Sequence, residues 1–252
     1  IEIKNSTGSY VKYRNPNLAM MRWNVHTYMA YGYTKLYWFT YWRPQPTIPW
    51  DEYYHNTPVD YDGTLLTKYN YIQALNAEMH NLGNTTKNLT SRRVFHTGSS
   101  IPSGTTFLPA DFFVKPANYN QPFVFGYFTS ASGRSYIYMV NRDYVNSVTT
   151  NFYLSQNPSA VTEISKATGA EGSLVQGTYS ANNGVMNLTF LPGEGRLFAM
   201  PSDYTPYRNL LATASVTATS SREYTVDGWA KNRVNDDLRN STQYYNSEKS
   251  LG

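Results

Sequence analysis

The chain has 252 residues, of which 40% are hydrophobic and only 15% charged, with 24 Tyr, no Cys and a formal net charge of +4. That length supports one large domain or two modest ones with real cores, and the missing thiol excludes disulfides, thiolate metal sites and cysteine nucleophiles. The small Lys/Arg excess is spread without a block, which argues against nucleic acid, and no apolar run is long enough to span a bilayer as a helix.

Solubility therefore rests on Asn, Thr, Ser and Tyr, a composition that fits a protein secreted or displayed by a bacterium. The opening "IEIK" starts in mid-alternation and the closing "NSEKSLG" stops without a cap, as expected for a piece of a longer protein. Residues 15–31, "NPNLAMMRWNVHTYMAY", predict a helix with Asn15 as N-cap and Pro16 in the first turn. Leu18, Met21, Val25, Tyr28 and Met29 recur at helical spacing, and Gly32 supplies the stop. After a turn, "KLYWFTYW" reads as a strand buried on both faces. Pro44, Pro46 and Pro49 then forbid regular structure. Asp62-Gly63 predicts a turn, and Tyr69, Ile72, Leu75, Met79 and Leu82 predict a second helix ended by Gly83. Helix, buried strand, loop and helix follow α/β logic.

From Arg92 the pattern changes. "RRVFHTG", "FVFGYFT", "SYIYMVNRD", "TTNFYLS", "AVTEIS", "GVMNLTF" and "RLFAM" are short strand-like runs between Gly, Asn, Ser and Pro turns, the pattern of an antiparallel sandwich. "PSDYTPYRN" reads as a linker, and the tail after it is Thr/Ser-rich. The expected architecture is α/β plus all-β: residues 1–90 as the last part of a (β/α)8 barrel, 91–202 as a β-sandwich, and 203–252 as a linker with the start of another module.

Alternation along the aromatic run places Leu36, Trp38, Thr40 and Trp42 on one face and Tyr37, Phe39 and Tyr41 on the other. Tyr37 and Phe39 read as core. The end of the run, Tyr41-Trp42-Arg43, would open onto the active-site face of a barrel. A flat indole covers the C–H patch of a sugar ring while polar neighbours take its hydroxyls. Trp42, Tyr41, Arg43 and Trp38 are thus the candidate saccharide contacts, with an all-core reading standing beside them. Glycoside hydrolysis needs two carboxylates across the scissile bond, and acids are sparse. Glu2 is the one in an interesting place; it reads either as a nucleophile position or as a solvent-facing strand residue. Asp51, Glu52, Asp60 and Asp62 follow the aromatic run, but "DYDG" is more simply a turn than a calcium loop.

His26, His55, His80 and His96 show no zinc spacing, and neither a G-x-S-x-G elbow nor a phosphate-binding glycine loop occurs. No metal and no cofactor are expected. His26 reads as a surface or interface residue and "GEGR" as a hairpin turn. Five N-x-S/T sequons, starting at Asn5, Asn84, Asn88, Asn187 and Asn240, are close to chance in so Asn/Thr-rich a chain.

"MAYGYTKLYWFTYW" resembles the end of the barrel in β-galactosidase-like glycoside hydrolases of family 42 and its relatives, through Ala30, Tyr31, Gly32, Phe39, Thr40, Tyr41 and Trp42. Tyr33 and Tyr37 depart from the pattern, which has smaller residues there. Asp60, Gly63, Thr67 and Tyr69 resemble the turn that feeds the final barrel helix, and "LPGEGRLF" resembles the closing hairpin of the sandwich that follows such barrels. The tail, at Asn209, Leu210, Ala212, Val216, Thr217, Ala218, Ser220, Ala230, Asn232, Val234 and Asp236, resembles the opening third of a discoidin-type (family 32 carbohydrate-binding) module, with Asn235 where Asp is usual. The resemblance implies a retaining hydrolase of oligo- or polysaccharides. Its acid/base would lie upstream of residue 1, and its nucleophile would lie upstream too or be Glu2. Trp42 would floor the subsite for the cleaved sugar. The partners implied are carbohydrate and the remaining barrel portion of the same protein. A non-catalytic surface adhesin with a degenerate barrel remains the alternative.

Overall fold

The computed structural model describes residues 2–4, 10–12, 15–43 and 57–204. Among these residues are two helices, α1 (Leu18–Ala30) and α2 (Thr67–Thr86), and three antiparallel sheets. At the start, β1 (Glu2–Lys4) pairs with β2 (Tyr10–Lys12) in a two-stranded hairpin that sets Glu2 opposite Lys12.

Asn17, not Asn15, caps α1: its side chain accepts from the Met20 amide at 3.0 Å, which leaves Pro16 outside the helix. The end of α1 is as expected. Gly32 adopts φ +91°, the Gly32 amide donates to the Met29 carbonyl at 2.9 Å, and Tyr33 reaches back to Tyr28 at 3.1 Å. This double closure needs a left-handed residue, which glycine provides without a Cβ clash. The turn at Asp60–Gly63 also forms, with the Gly63 amide on the Asp60 carbonyl and Thr64 N–H on the Asp62 carboxylate. Helix α2 runs through Gly83 to Thr86 instead of stopping there. A single interior glycine costs only about 1 kcal/mol, less than the burial of Leu75 and Leu82 recovers.

The β-rich half forms as expected. A six-stranded sheet runs in the order β3 (Leu89–His96), β5 (Phe123–Ser130), β6 (Ser135–Asn141), β12 (Gly195–Ala199), β8 (Thr162–Ile164), β9 (Glu171–Gly172). A four-stranded sheet runs β10 (Gly177–Ser180), β11 (Val185–Phe190), β7 (Val148–Leu154), β4 (Val114–Pro116). The short strands β4, β9 and β10 carry too little alternation to be read from sequence.

The six-stranded sheet is the middle layer. On β5 and β6, Phe123, Phe125, Ile137 and Met139 point to the second sheet, where they meet Phe152, Met186, Leu188 and Phe190. Phe123 packs edge-to-face on Phe152 at 5.2 Å and on Phe190 at 5.3 Å, the preferred geometry of aromatic quadrupoles. The alternate residues Val124, Phe128, Tyr136, Tyr138 and Val140 face the helices and meet Met21, Val25 and Met29 of α1 with Leu75 and Leu82 of α2. Burial of both faces explains why these strands read as continuous apolar runs.

Helix α1 approaches the sheet where side chains are missing. A Cβ on Gly126 would lie 2.1 Å from the Ala30 carbonyl oxygen, one on Gly195 would lie 2.5 Å from the His26 Cβ, and one on Gly193 would lie 2.2 Å from the Ala19 carbonyl oxygen.

The aromatic run departs from expectation. Among the described residues, Leu36–Trp42 joins no sheet, and its one bridge is a parallel contact of Trp42 with Val59. Tyr37 is 88% and Phe39 80% exposed, so neither is core. A strand needs flanking backbone to take its amides and carbonyls, and the described residues offer that only at Val59. No succession of parallel strands is present among the described residues. The tail from residue 205, with the discoidin-like positions, lies outside them, as do Asp51, Glu52 and His55.

Backbone approach this close leaves no room for a methyl group. Gly126→Ala should lower stability by about 3 kcal/mol, read from urea denaturation, whereas Gly172→Ala, with open space around it, should change it by less than about 0.5 kcal/mol. Equal effects would show that α1 does not rest on Gly126.

Candidate functional site

The candidate saccharide contacts lie at the end of the aromatic run. Trp38 is half-buried against the helical core and donates from its indole N–H to the Asn76 side-chain oxygen of α2 at 2.9 Å. It anchors the run to α2. Beyond it, the Val59 amide donates to the Tyr41 carbonyl at 3.1 Å and the Arg43 amide to the Val59 carbonyl at 3.0 Å. These two bonds fix the backbone on either side of Trp42. Thr40 donates its hydroxyl to the Trp42 carbonyl at 3.0 Å. Trp42 is 47% and Tyr41 57% exposed. Arg43 reaches the Asp60 carboxylate at 3.4 Å, with both side chains about a quarter exposed. The structure thus brings Trp42, Tyr41, Arg43 and Asp60 together: two free ring surfaces beside a polar, hydrogen-bonding pair. Glu2 lies in β1, opposite Lys12 of β2.

A second cluster escaped the sequence reading. His26 is fully buried, not a surface residue. Burial drives its imidazole below the ordinary value despite the opposing effect of the Glu78 carboxylate. In the neutral ring, Nε2–H donates to Glu78 at 3.2 Å, and Nδ1 accepts from the Tyr138 hydroxyl at 2.7 Å. Burial likewise pushes the Tyr138 phenol well up. Burial pushes the Glu78 carboxyl up as well, but the hydrogen bond from His26, together with the charges of Lys166 and Arg22, outweighs it and holds the group below its ordinary range. This chain ties α1, β6 and α2 together. With His26 neutral, Glu78 ionised and Tyr138 protonated near pH 7, none of the three is poised to exchange a proton there.

Nearby, the buried Glu163 and Arg196 pair at 2.9 and 2.5 Å. Arg196 also donates to the Gln176 and Thr189 carbonyls at 2.9 Å, and its guanidinium lies between the rings of Phe190 and Phe198 at 5.2 and 5.1 Å. The "GEGR" stretch turns, but it is no hairpin: it carries the chain from β11 in the four-stranded sheet to β12 in the six-stranded one. Its Glu194 is buried, accepts the Leu191 amide at 2.7 Å and pairs with Lys166. The sequence signal was present: single charges of opposite sign inside the apolar runs "AVTEIS" and "GRLFAM". Groups of three or more metal-ligating side chains are absent among the described residues.

His96 ends β3, buried in a polar knot. Its Nδ1 accepts from Arg142 at 3.4 Å and its Nε2 meets the Tyr31 hydroxyl at 2.8 Å. Burial, then the Arg142 charge, lowers its pKa to about 4.

Comparison with known proteins gives no match to a family model, a curated protein or a solved structure.

Removing one member of the buried ion pair strands the other. Glu163→Ala should cost about 3–5 kcal/mol of stability in urea denaturation; a loss under about 1 kcal/mol would mean that Arg196 reaches water. For His96 the folded pKa, about 4, lies below the ordinary 6.5. Its neutral form therefore contributes stability above pH 6.5, and that contribution is lost as the pH falls toward 4. The stability difference between the wild-type chain and His96→Gln should shrink across that window, and a difference independent of pH would refute the assignment.

Proposed function

We propose that this chain is the C-terminal part of a secreted or surface-displayed bacterial glycoside hydrolase of the β-galactosidase-like kind. In this reading residues 1–90 complete a (β/α)8 barrel, the β-sandwich supports it, and the tail begins a carbohydrate-binding module. The parent cleaves oligo- or polysaccharide with retention, using two carboxylates of which at least the acid/base lies upstream. The observation that carries the reading is the exposure of Trp42 and Tyr41 beside Arg43 and Asp60, at the end of the segment whose residues resemble the last barrel strand. An aromatic face held by backbone bonds on both sides loses little entropy when a sugar ring stacks on it. The exposed flank of Tyr37 and Phe39 also suits a strand meant to pair with barrel strands from the rest of the protein.

Affinity electrophoresis in gels containing neutral galactan, xylan or mannan tests the saccharide contact. One of these should retard the chain, and Trp42→Ala should weaken that binding about tenfold. Retention by none, or equal retention of Trp42→Ala, would overturn the assignment of Trp42.

A further inference from the structure

A separate cleft of about 600 Å³ lies between α1, α2 and the start of the aromatic run. Its floor is apolar, with Val25 and Met29 from α1 and Met79 from α2. Its rim carries Tyr28, Tyr33 and Tyr37, which are 49%, 63% and 88% exposed. Tyr28 and Tyr33 meet edge to face, with centroids 5.9 Å apart and planes at 88°, so their rings present two differently oriented faces.

The charges on this cleft are of one sign. Lys35 and Lys87 line it together with His80, and no Asp or Glu does. Neither lysine forms an ion pair with a described residue. Elsewhere the carboxylates of Glu78, Glu163, Glu171 and Glu194 are each matched to a basic side chain. Tyrosine faces suit the C–H faces of sugar rings, and the lysines suit negative charge on those rings. A neutral glycan would leave both ammonium groups unused.

We propose that this cleft binds an acidic polysaccharide, one whose sugar rings carry carboxylates. The proposal rests on the carbohydrate reading above and adds the class of sugar. The rings lie against Tyr33 and Tyr28 over the apolar floor, and the carboxylates reach Lys35 and Lys87. An anionic chain is drawn to the unbalanced positive rim from up to about 10 Å at moderate ionic strength, so binding weakens as salt rises.

The test is affinity electrophoresis of the full chain with polygalacturonate and with neutral galactan, at low and high salt. Retardation by polygalacturonate is expected. The Lys35→Gln/Lys87→Gln double variant should bind about tenfold more weakly, at roughly threefold per exposed charge pair. Tyr33→Ala should weaken binding several-fold at both salt levels. Arg92→Gln/Arg93→Gln removes the same charge from the exposed edge of the sandwich and should bind like the wild type. No retardation by polygalacturonate, an unchanged lysine variant, or equal losses in the lysine and arginine variants would overturn the proposal. So would cross-linking of a second copy across Tyr33 and Tyr37, which would give the cleft to polypeptide. Binding of neutral glycan through Trp42 with no lysine effect would refute this proposal and leave the Trp42 assignment standing; binding of neither class would refute both.

Discussion

The close contact between α1 and the six-stranded sheet is the constraint from which the rest of the structure follows. Three positions without a side chain, Gly126, Gly193 and Gly195, let the helix backbone approach the sheet and its turns. At that distance Met21, Val25 and Met29, spaced four apart, lie as one ridge on Val124, Tyr138 and Val140. The approach also buries the His26 ring, which has no water left to serve it. Its two nitrogens then need protein partners, and Tyr138 and Glu78 supply them. The neutral state of His26 is a result of how the helix packs, not an independent feature.

The same contact fixes where α1 ends. Gly32 closes the helix over the sheet, where a Cβ would meet that of Ser91 at 2.8 Å. The chain can leave only outward, and the aromatic run therefore starts at the rim of the cleft between the helices. Trp38 returns to α2 through Asn76, and Val59 holds the backbone around Trp42. Two anchors with exposed rings between and beyond them are the outcome of that path.

Legibility in the sequence tracked how local each cause was. The Gly32 stop, the Asp60–Gly63 turn and the seven strand-like runs of the sandwich depend on residues close in the chain, and all of them formed. Where a nonlocal partner decides, the pattern misled. "KLYWFTYW" has the composition of a doubly buried strand, as do β5 and β6. The latter have sheet neighbours on both sides and layers on both faces, while the former has one bridge. Propensity reports that a segment fits a pleated, covered surface, not that one is present. His26 misled for the same reason, since its burial comes from Gly195 and Tyr138, both more than a hundred residues away. Of the candidate site, Tyr41, Trp42 and Arg43 were read as the end of a strand, where the structure has a single bridge of Trp42 with Val59, and the pairing of Arg43 with Asp60 needed the turn to fold back.

Charge placement divides the molecule in a way that bears on what each part can do. Where charges are buried they are matched, Glu163 with Arg196 and Glu194 with Lys166, and the buried neutral His26 is hydrogen-bonded by Glu78 and Tyr138. Burial makes an unmatched charge costly, so these groups answer to the fold, and their perturbed protonation is no sign of chemistry. The exposed surface around the aromatic run is under no such demand. There Lys35 and Lys87 can stand without acids beside them, and tyrosine rings can stay wet. Folding explains why the buried groups are as they are, but it gives no account of a rim with several exposed rings and charge of a single sign. Such a surface adds nothing to the core, and the acidic glycan proposed above, which matches both its aromatic faces and its charge, would give it a use.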